Sequence, residues 1–359
     1  GCGFCFLWAM AYSMLVLVQL QAAWPGLGLG VYLDDLVLSE EGTEEEVMGV
    51  LAHSVVENRQ LRRLAEEKGV VTQMGIQIHS HVVYRRAVAM IQDGVIGKVS
   101  QVHAWSGKNW GYDGQSLPAV AKVPANLQWN LWLGTAKERP FVPGVYHPGQ
   151  WRKLVDFGTG TLGDMGVHIF DTPYGALDLT APNWARTTCR QPTGVGHPSR
   201  NVVEYEFPQT KYTTKTMQWK WYDGGFAPPK SEDVGLEKGM KLPGQAALFI
   251  GEEGQMLLPH IGEPQLFPQK KFADYKRPDI NGNNHYHQWV DAAMGNATAC
   301  APFAFGGPFT EALLLGVVAN RFPDEKLAWD AKSLKVTNND AANKLIKGDY
   351  RDGFKVMGL

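Results

Sequence analysis

Apolar residues recur at two different periods along this chain, and the change from one to the other divides it. Ser54-Val-Val-Glu57 fits a capping box, in which each of the two polar side chains accepts the other residue's backbone N–H. Val55, Leu61, Leu64 and Ala65 follow at helical spacing, and Gly69 stands where a helix end favours glycine. Val70-Val-Thr-Gln-Met74 predicts a short strand, and Ser80 to Gln92 a second helix stopping at Gly94. Lys98 to Trp105 alternate and predict another strand. Helix, strand, helix, strand in this order predicts an α/β unit with parallel strands.

The second half changes period. Asn201-Val-Val-Glu-Tyr-Glu-Phe207 alternates, as do Met217, Trp219 and Trp221 with polar residues between them. Ala247 to Ile250 and Gln255 to Leu258 flank Gly251-Glu-Glu-Gly254, which predicts a hairpin. This pattern predicts a broad, mainly antiparallel sheet with one face covered. Helical spacing returns over His285 to Met294 and Pro308 to Arg321. The expected fold is α/β plus α+β, with a domain boundary near residue 77. Residues 1–76 form a partial nucleotide-binding unit, and 77–359 an open sheet domain with helices on one face.

Composition sharpens this. The 359 residues are 44% hydrophobic, enough for two cores, and a net charge of −2 gives no sign of nucleic-acid binding. No Lys or Arg precedes Arg59, so the first 58 residues carry −8 and the rest +6. The front is therefore a different kind of segment. Phe4 to Trp24 holds no charge. It reads as a buried helix or strand, or as an export or anchoring segment without the usual basic flank. The expected location is cytoplasmic, with no membrane partner. The chain starts at Gly1 rather than Met, as a fragment would.

Candidate chemistry gathers in the middle. Asp164, His168 and Asp171 stand at i, i+4 and i+7, on one face if a single helix carries them. An imidazole can take or give a proton near neutral pH, and a carboxylate one turn away can orient it. Tyr146, His147 and Arg152 supply an aromatic face and donors for hydroxyl oxygens, although Tyr146 and Trp151 also suit an aromatic core. Gln77 and His79 follow the strand that ends near Gly75, and ligands of α/β sheets bind at strand carboxyl ends. His79-x-His81 and His285-x-His287 have metal-like spacing, but residues two apart on a helix point apart, and no metal is expected.

Several motifs together resemble the Gfo/Idh/MocA oxidoreductases. They are Leu51-Ala-His-Ser54, Gly69-Val-Val-Thr-Gln-Met-Gly75, Trp129-Asn-Leu-Trp-Leu-Gly134, Tyr146-His-Pro148 and Asp156-Phe-Gly158. Leu162-Gly-Asp-Met-Gly-Val-His168, Asn284-His-Tyr-His287, Trp329-Asp330 and Tyr350-Arg-Asp-Gly-Phe354 complete the set, so that residues 51–354 are covered. The resemblance implies a Rossmann domain binding NAD or NADP, joined to an open-sheet domain through which copies of the chain associate as a homo-oligomer. It implies hydride transfer at a hydroxyl carbon of a small carbohydrate. His168 becomes the acid/base and Asp164 its partner. Tyr146, His147, Arg152 and Asp171 become substrate-side residues, and Gln77 and His79 cofactor-side ones.

Two departures from that family stand out. Gly26-Leu-Gly-Leu-Gly30 leads into Val31-Tyr32, so it reads as a turn before a strand rather than a dinucleotide loop before a helix. The family's Glu-Lys-Pro motif falls on Met48-Gly-Val50 or on Asp34-Asp-Leu36, and neither register holds a lysine. Either the protein is divergent or inactive, or its first 50 residues are not homologous protein. The expectations are thus an NAD(P)-dependent dehydrogenase, a non-catalytic sugar-binding paralogue, or an NAD-dependent glycosidase of the same family.

Overall fold

In a computed structural model of the chain, residues 30–32, 54–146 and 149–353 are described. His147, the glycine run before Gly30, both candidate Glu-Lys-Pro registers, the apolar stretch 4–24 and Cys2-x-x-Cys5 lie outside them.

The front is built as its local chemistry predicts. The capping box is complete at the start of α1 (Val55–Lys68): Ser54 accepts the Glu57 N–H and Glu57 accepts the Ser54 N–H. Gly69 closes α1 in the left-handed region, at φ 61°. Strand β1 (Gly30–Tyr32) pairs in parallel with β2 (Val71–Gln73). After a 3-10 turn (Gln77–Ser80), α2 (Val82–Gln92) buries Val83, Tyr84, Ala87, Met90 and Ile91 along one face.

The next strand corrects an expectation. β3 (Val99–Ser106) does not extend the β1–β2 pair; it lies inside a nine-stranded sheet. Its residues from Val102 to Ser106 are all buried, as befits a central strand covered on both sides. It runs parallel to β6 (Thr213–Asp223) and antiparallel to β7 (Gln245–Gly251). The other strands are β4 (Trp184–Thr188), β5 (Val202–Pro208), β8 (Gln255–Pro259), β9 (Gln265–Phe267), β10 (Leu327–Asp330) and β11 (Lys335–Val336). Their order is β11-β10-β4-β5-β6-β3-β7-β8-β9. All pairs except β3–β6 are antiparallel, including the predicted β7–β8 hairpin.

One face of this sheet carries the helices. The short α3 (Trp129–Leu133) precedes α4 (Gly160–Ile169) and α5 (Asp171–Ala176); α6 (His285–Ala293), α7 (Phe303–Ala319) and α8 (Asp340–Ile346) follow later. Met217, Trp219 and Trp221 of β6 pack with residues of α4, α5 and α7 in the main core. At Gly166 a Cβ would come within 2.8 Å of the Leu313 side chain, so glycine lets α4 lie close to α7 without moving Leu313. Helix α7 begins at Phe303 rather than at Pro308, which sits inside it. The apolar run from Phe303 to Phe309 supplies buried contacts that start the helix early.

On the opposite face, Arg186, Glu204, Lys220 and His103 form one row across β4, β5, β6 and β3. Glu204 is ion-paired to both Arg186 and Lys220. The front unit is clamped to α7: Arg59 makes a two-pronged ion pair with the buried Glu311, and Asn58 donates to the Gly307 carbonyl at 2.7 Å. Among the described residues, no helix is long and apolar enough to cross a membrane.

Candidate active site

The helix expected to carry all three acid/base candidates is two helices. Pro173 has no N–H for the Ile169 carbonyl, so α4 stops at Ile169 and α5 starts at Asp171 after Phe170. Asp164 and His168 share the side of α4 turned away from its buried residues Leu162, Met165, Gly166 and Ile169. Asp171, one residue past the break, is 2% exposed.

Each of the two carboxylates has its own cation. Arg152 Nε donates to Asp164 Oδ1 at 2.6 Å. Its guanidinium lies 4.6 Å from the Trp151 ring centre and 5.4 Å from that of Trp110. A Cβ on Gly158 would meet the Arg152 backbone at 2.6 Å, so glycine sets the approach of this segment. Asp171 instead pairs with His79, whose Nδ1 lies 2.8 Å from Oδ1, and the Phe305 ring lies beside the imidazole at 4.9 Å. Burial opposes the His79 imidazolium, but Asp171 more than offsets it, and the pKa rises above 6.5.

His168 lies between these pairs and has no hydrogen-bond partner among the described residues. Burial lowers its pKa below 6.5 against the pull of Asp164 and Asp171, so it is mainly neutral near pH 7 and free to accept a proton. Asp164 is hydrogen-bonded to Arg152 and acts on His168 through space. Opposite His168 stands His260, just beyond β8, with the ring centres 6.2 Å apart.

The loop carrying Gln77 and His79 is held from beneath. Ser80 Oγ lies 2.7 Å from His285 Nδ1, and His285 Nε2 donates to the Met74 carbonyl at 3.0 Å. Gln73 joins the same network, donating to the His285 carbonyl and accepting the Cys300 backbone N–H. Gln77 itself points outward and donates to the Tyr286 hydroxyl at 3.1 Å. His81 caps α2, and His287 is exposed on α6, so neither His-x-His motif converges. Among the described residues, no group of three or more His, Cys, Asp or Glu is placed to hold a metal ion.

Tyr146 is not part of the group around His168. It is 2% exposed and packs among Trp129, Trp132, Phe141 and Phe157, with its hydroxyl turned to the Pro140 carbonyl. Conversely, Tyr84 and His260 escaped the sequence reading. Tyr84 sits at an apolar helical position and looks like any core aromatic; a histidine directly after a predicted hairpin strand was the available signal for His260.

Comparison with known proteins agrees with this architecture. The family model described as "Oxidoreductase family, C-terminal alpha/beta domain" matches residues 82–179. No curated protein matches the sequence. Among solved structures, an NAD-binding protein from Listeria innocua superposes with a TM-score of 0.50 at 10% identity, covering 82% of this chain and 80% of that one. An inositol dehydrogenase homolog from Azotobacter vinelandii, complexed with NADH and myo-inositol, gives 0.47 at 13% identity, covering 84% and 78%. GenD2 from gentamicin A biosynthesis, in complex with NAD, gives 0.48 at 17%, with coverage of 84% and 78%. At these identities the likeness is one of fold. Residues 82–179 thus match the C-terminal alpha/beta domain of the Gfo/Idh/MocA oxidoreductases, the family that the sequence resembles.

Proposed function

We propose that the protein is an NAD(P)-dependent oxidoreductase that oxidises a hydroxyl carbon of a small sugar or polyol, with His168 as proton acceptor. The observation that carries this is a neutral, unpartnered imidazole between two fixed ion pairs, Asp164–Arg152 and Asp171–His79. Proton transfer from a hydroxyl needs such a group within reach, and a pKa near neutrality suits it to the task.

The described residues fit the nicotinamide end of a dinucleotide. Gln77 offers an exposed amide and His79 an imidazole, both on the loop after β2, where parallel strands present ligands. When bound, the nicotinamide supplies the hydride acceptor or donor. Arg152 holds Asp164 toward substrate hydroxyls, and Asp171 favours the charged form of His79. Residues 1–76 serve as the nucleotide-binding part and 77–359 as the sheet domain. The polar outer row of β4, β5, β6 and β3 suits association of copies, and the cytoplasm suits nicotinamide chemistry.

A sugar-binding protein without catalysis is the competing reading, favoured by the absence of lysine at 34–36 and 48–50. Titration with NADH and NADPH, followed by tryptophan fluorescence, separates the two. Micromolar binding, with NADH formed from myo-inositol or another polyol, supports the oxidoreductase. No binding up to millimolar concentration overturns it.

A further inference from the structure

His260 is held at its backbone by β7 and at its ring by Tyr84. Its own backbone N–H is tied to the Gln245 carbonyl of β7 at 2.9 Å, so the residue is pinned to the sheet. The Tyr84 hydroxyl lies 2.9 Å from His260 Nδ1 and receives the Ile261 backbone N–H at 3.2 Å. These contacts place the protons. A backbone N–H can only donate, so the phenol oxygen accepts from Ile261. The phenol's single hydrogen has no acceptor other than Nδ1 among the described residues, which makes Nδ1 the acceptor. A neutral imidazole carries its one hydrogen on the other nitrogen, here Nε2. Burial, His168 and Lys108 together keep His260 neutral, lowering its pKa to about 4. Nε2 has no hydrogen-bond partner among the described residues.

The backbone next to it points the same way. Ile261 has a φ of 58°, a left-handed conformation that β-branched residues avoid. Its side chain is 62% exposed, so burial offsets little of this strain. What the strained residue does deliver is its N–H to Tyr84.

We propose that Tyr84 is a positioning residue that locks His260 as an Nε2–H donor, and that this donor receives the substrate oxygen facing His168. The proposal rests on the reading of His168 as proton acceptor. As the hydroxyl proton passes to His168 and the hydrogen on the same carbon leaves as hydride for the nicotinamide, the C–O single bond becomes C=O. Negative charge develops on that oxygen on the way, and a donor already oriented toward it favours the change.

The test uses the full-length chain labelled with 15N, with long-range spectra of the imidazole nitrogens. The expected signature for His260 near neutral pH is a protonated Nε2 and a bare Nδ1. Tyr84→Phe keeps the buried ring but removes the hydroxyl, and should turn that signature into a tautomer mixture. A protonated Nδ1 in the parent, or an unchanged signature in Tyr84→Phe, overturns the lock. The second arm measures turnover of NAD and myo-inositol. His260→Gln keeps an N–H donor and should lose about 10-fold or less in kcat. His260→Leu has no donor and should lose about 100-fold with little change in KM. Equal losses in both overturns the donor role. A parent with no turnover overturns the oxidoreductase reading and the substrate-facing half of this one, while the spectra still decide the Tyr84 lock.

Discussion

His79 and His260 are half-buried imidazoles on opposite sides of the same site, and they titrate in opposite directions. His79 leans on a buried carboxylate and its pKa rises. His260 leans on a phenol, and burial, His168 and Lys108 oppose its charged form, so its pKa falls to about 4. Burial penalises the charged form in both, so the partner decides the outcome. One residue type thus has its charged form favoured at His79 and disfavoured at His260.

The sharpest way to break this contrast is to remove each ring. His79→Ala leaves Asp171 buried and without its partner, and should cost about 3 kcal/mol or more in urea unfolding. His260→Ala leaves Tyr84 still receiving the Ile261 N–H, and should cost about 1 kcal/mol. Comparable losses would show that the two environments do not differ as described. A milder change is Asp171→Asn, which keeps the shape and removes the charge. It should cost about 1–3 kcal/mol and return His79 to a pKa below 6.5, read by NMR titration.

The contrast also has a signature in pH. A raised folded-state pKa means that the His79 contribution is fully present below 6.5 and is lost as pH rises through the raised value. For His260 the folded-state pKa is depressed, so stability is lost as pH falls from 6.5 toward 4; His103 and His197, also held near 4, add to that loss. Stability should therefore peak near 6.5. In His79→Gln the decline on the alkaline side should vanish while the acid side remains. The smallest effect belongs to Ile261→Gly, which relieves the left-handed strain and should stabilise by up to about 1 kcal/mol, provided the N–H to Tyr84 is kept.

What the sequence made legible follows the range of each interaction. The capping box at Ser54, the glycine end at Gly69 and the β7–β8 hairpin rest on neighbours a few residues apart, and all three are present. The open antiparallel sheet was visible in the alternation of β5 and β6, where Val203, Tyr205, Phe207, Met217, Trp219 and Trp221 are buried. The partners of β3 were not visible, because they lie more than a hundred residues away. The single face drawn through Asp164, His168 and Asp171 assumed an unbroken helix. Pro173 was the signal against it, since its missing N–H falls on Ile169. The pair Asp171–His79 spans 92 residues, and no local pattern could announce it.

The central claim is that His168 accepts the substrate proton. It is tested most directly by kcat/KM for NAD-dependent polyol oxidation as a function of pH, in the parent chain and in His168→Gln. The parent should lose activity as pH falls below 6.5, through the lowered pKa of His168. His168→Gln should be slower by about 100-fold or more and lack that limb. Equal rates, or the same acid limb in both proteins, would contradict the account.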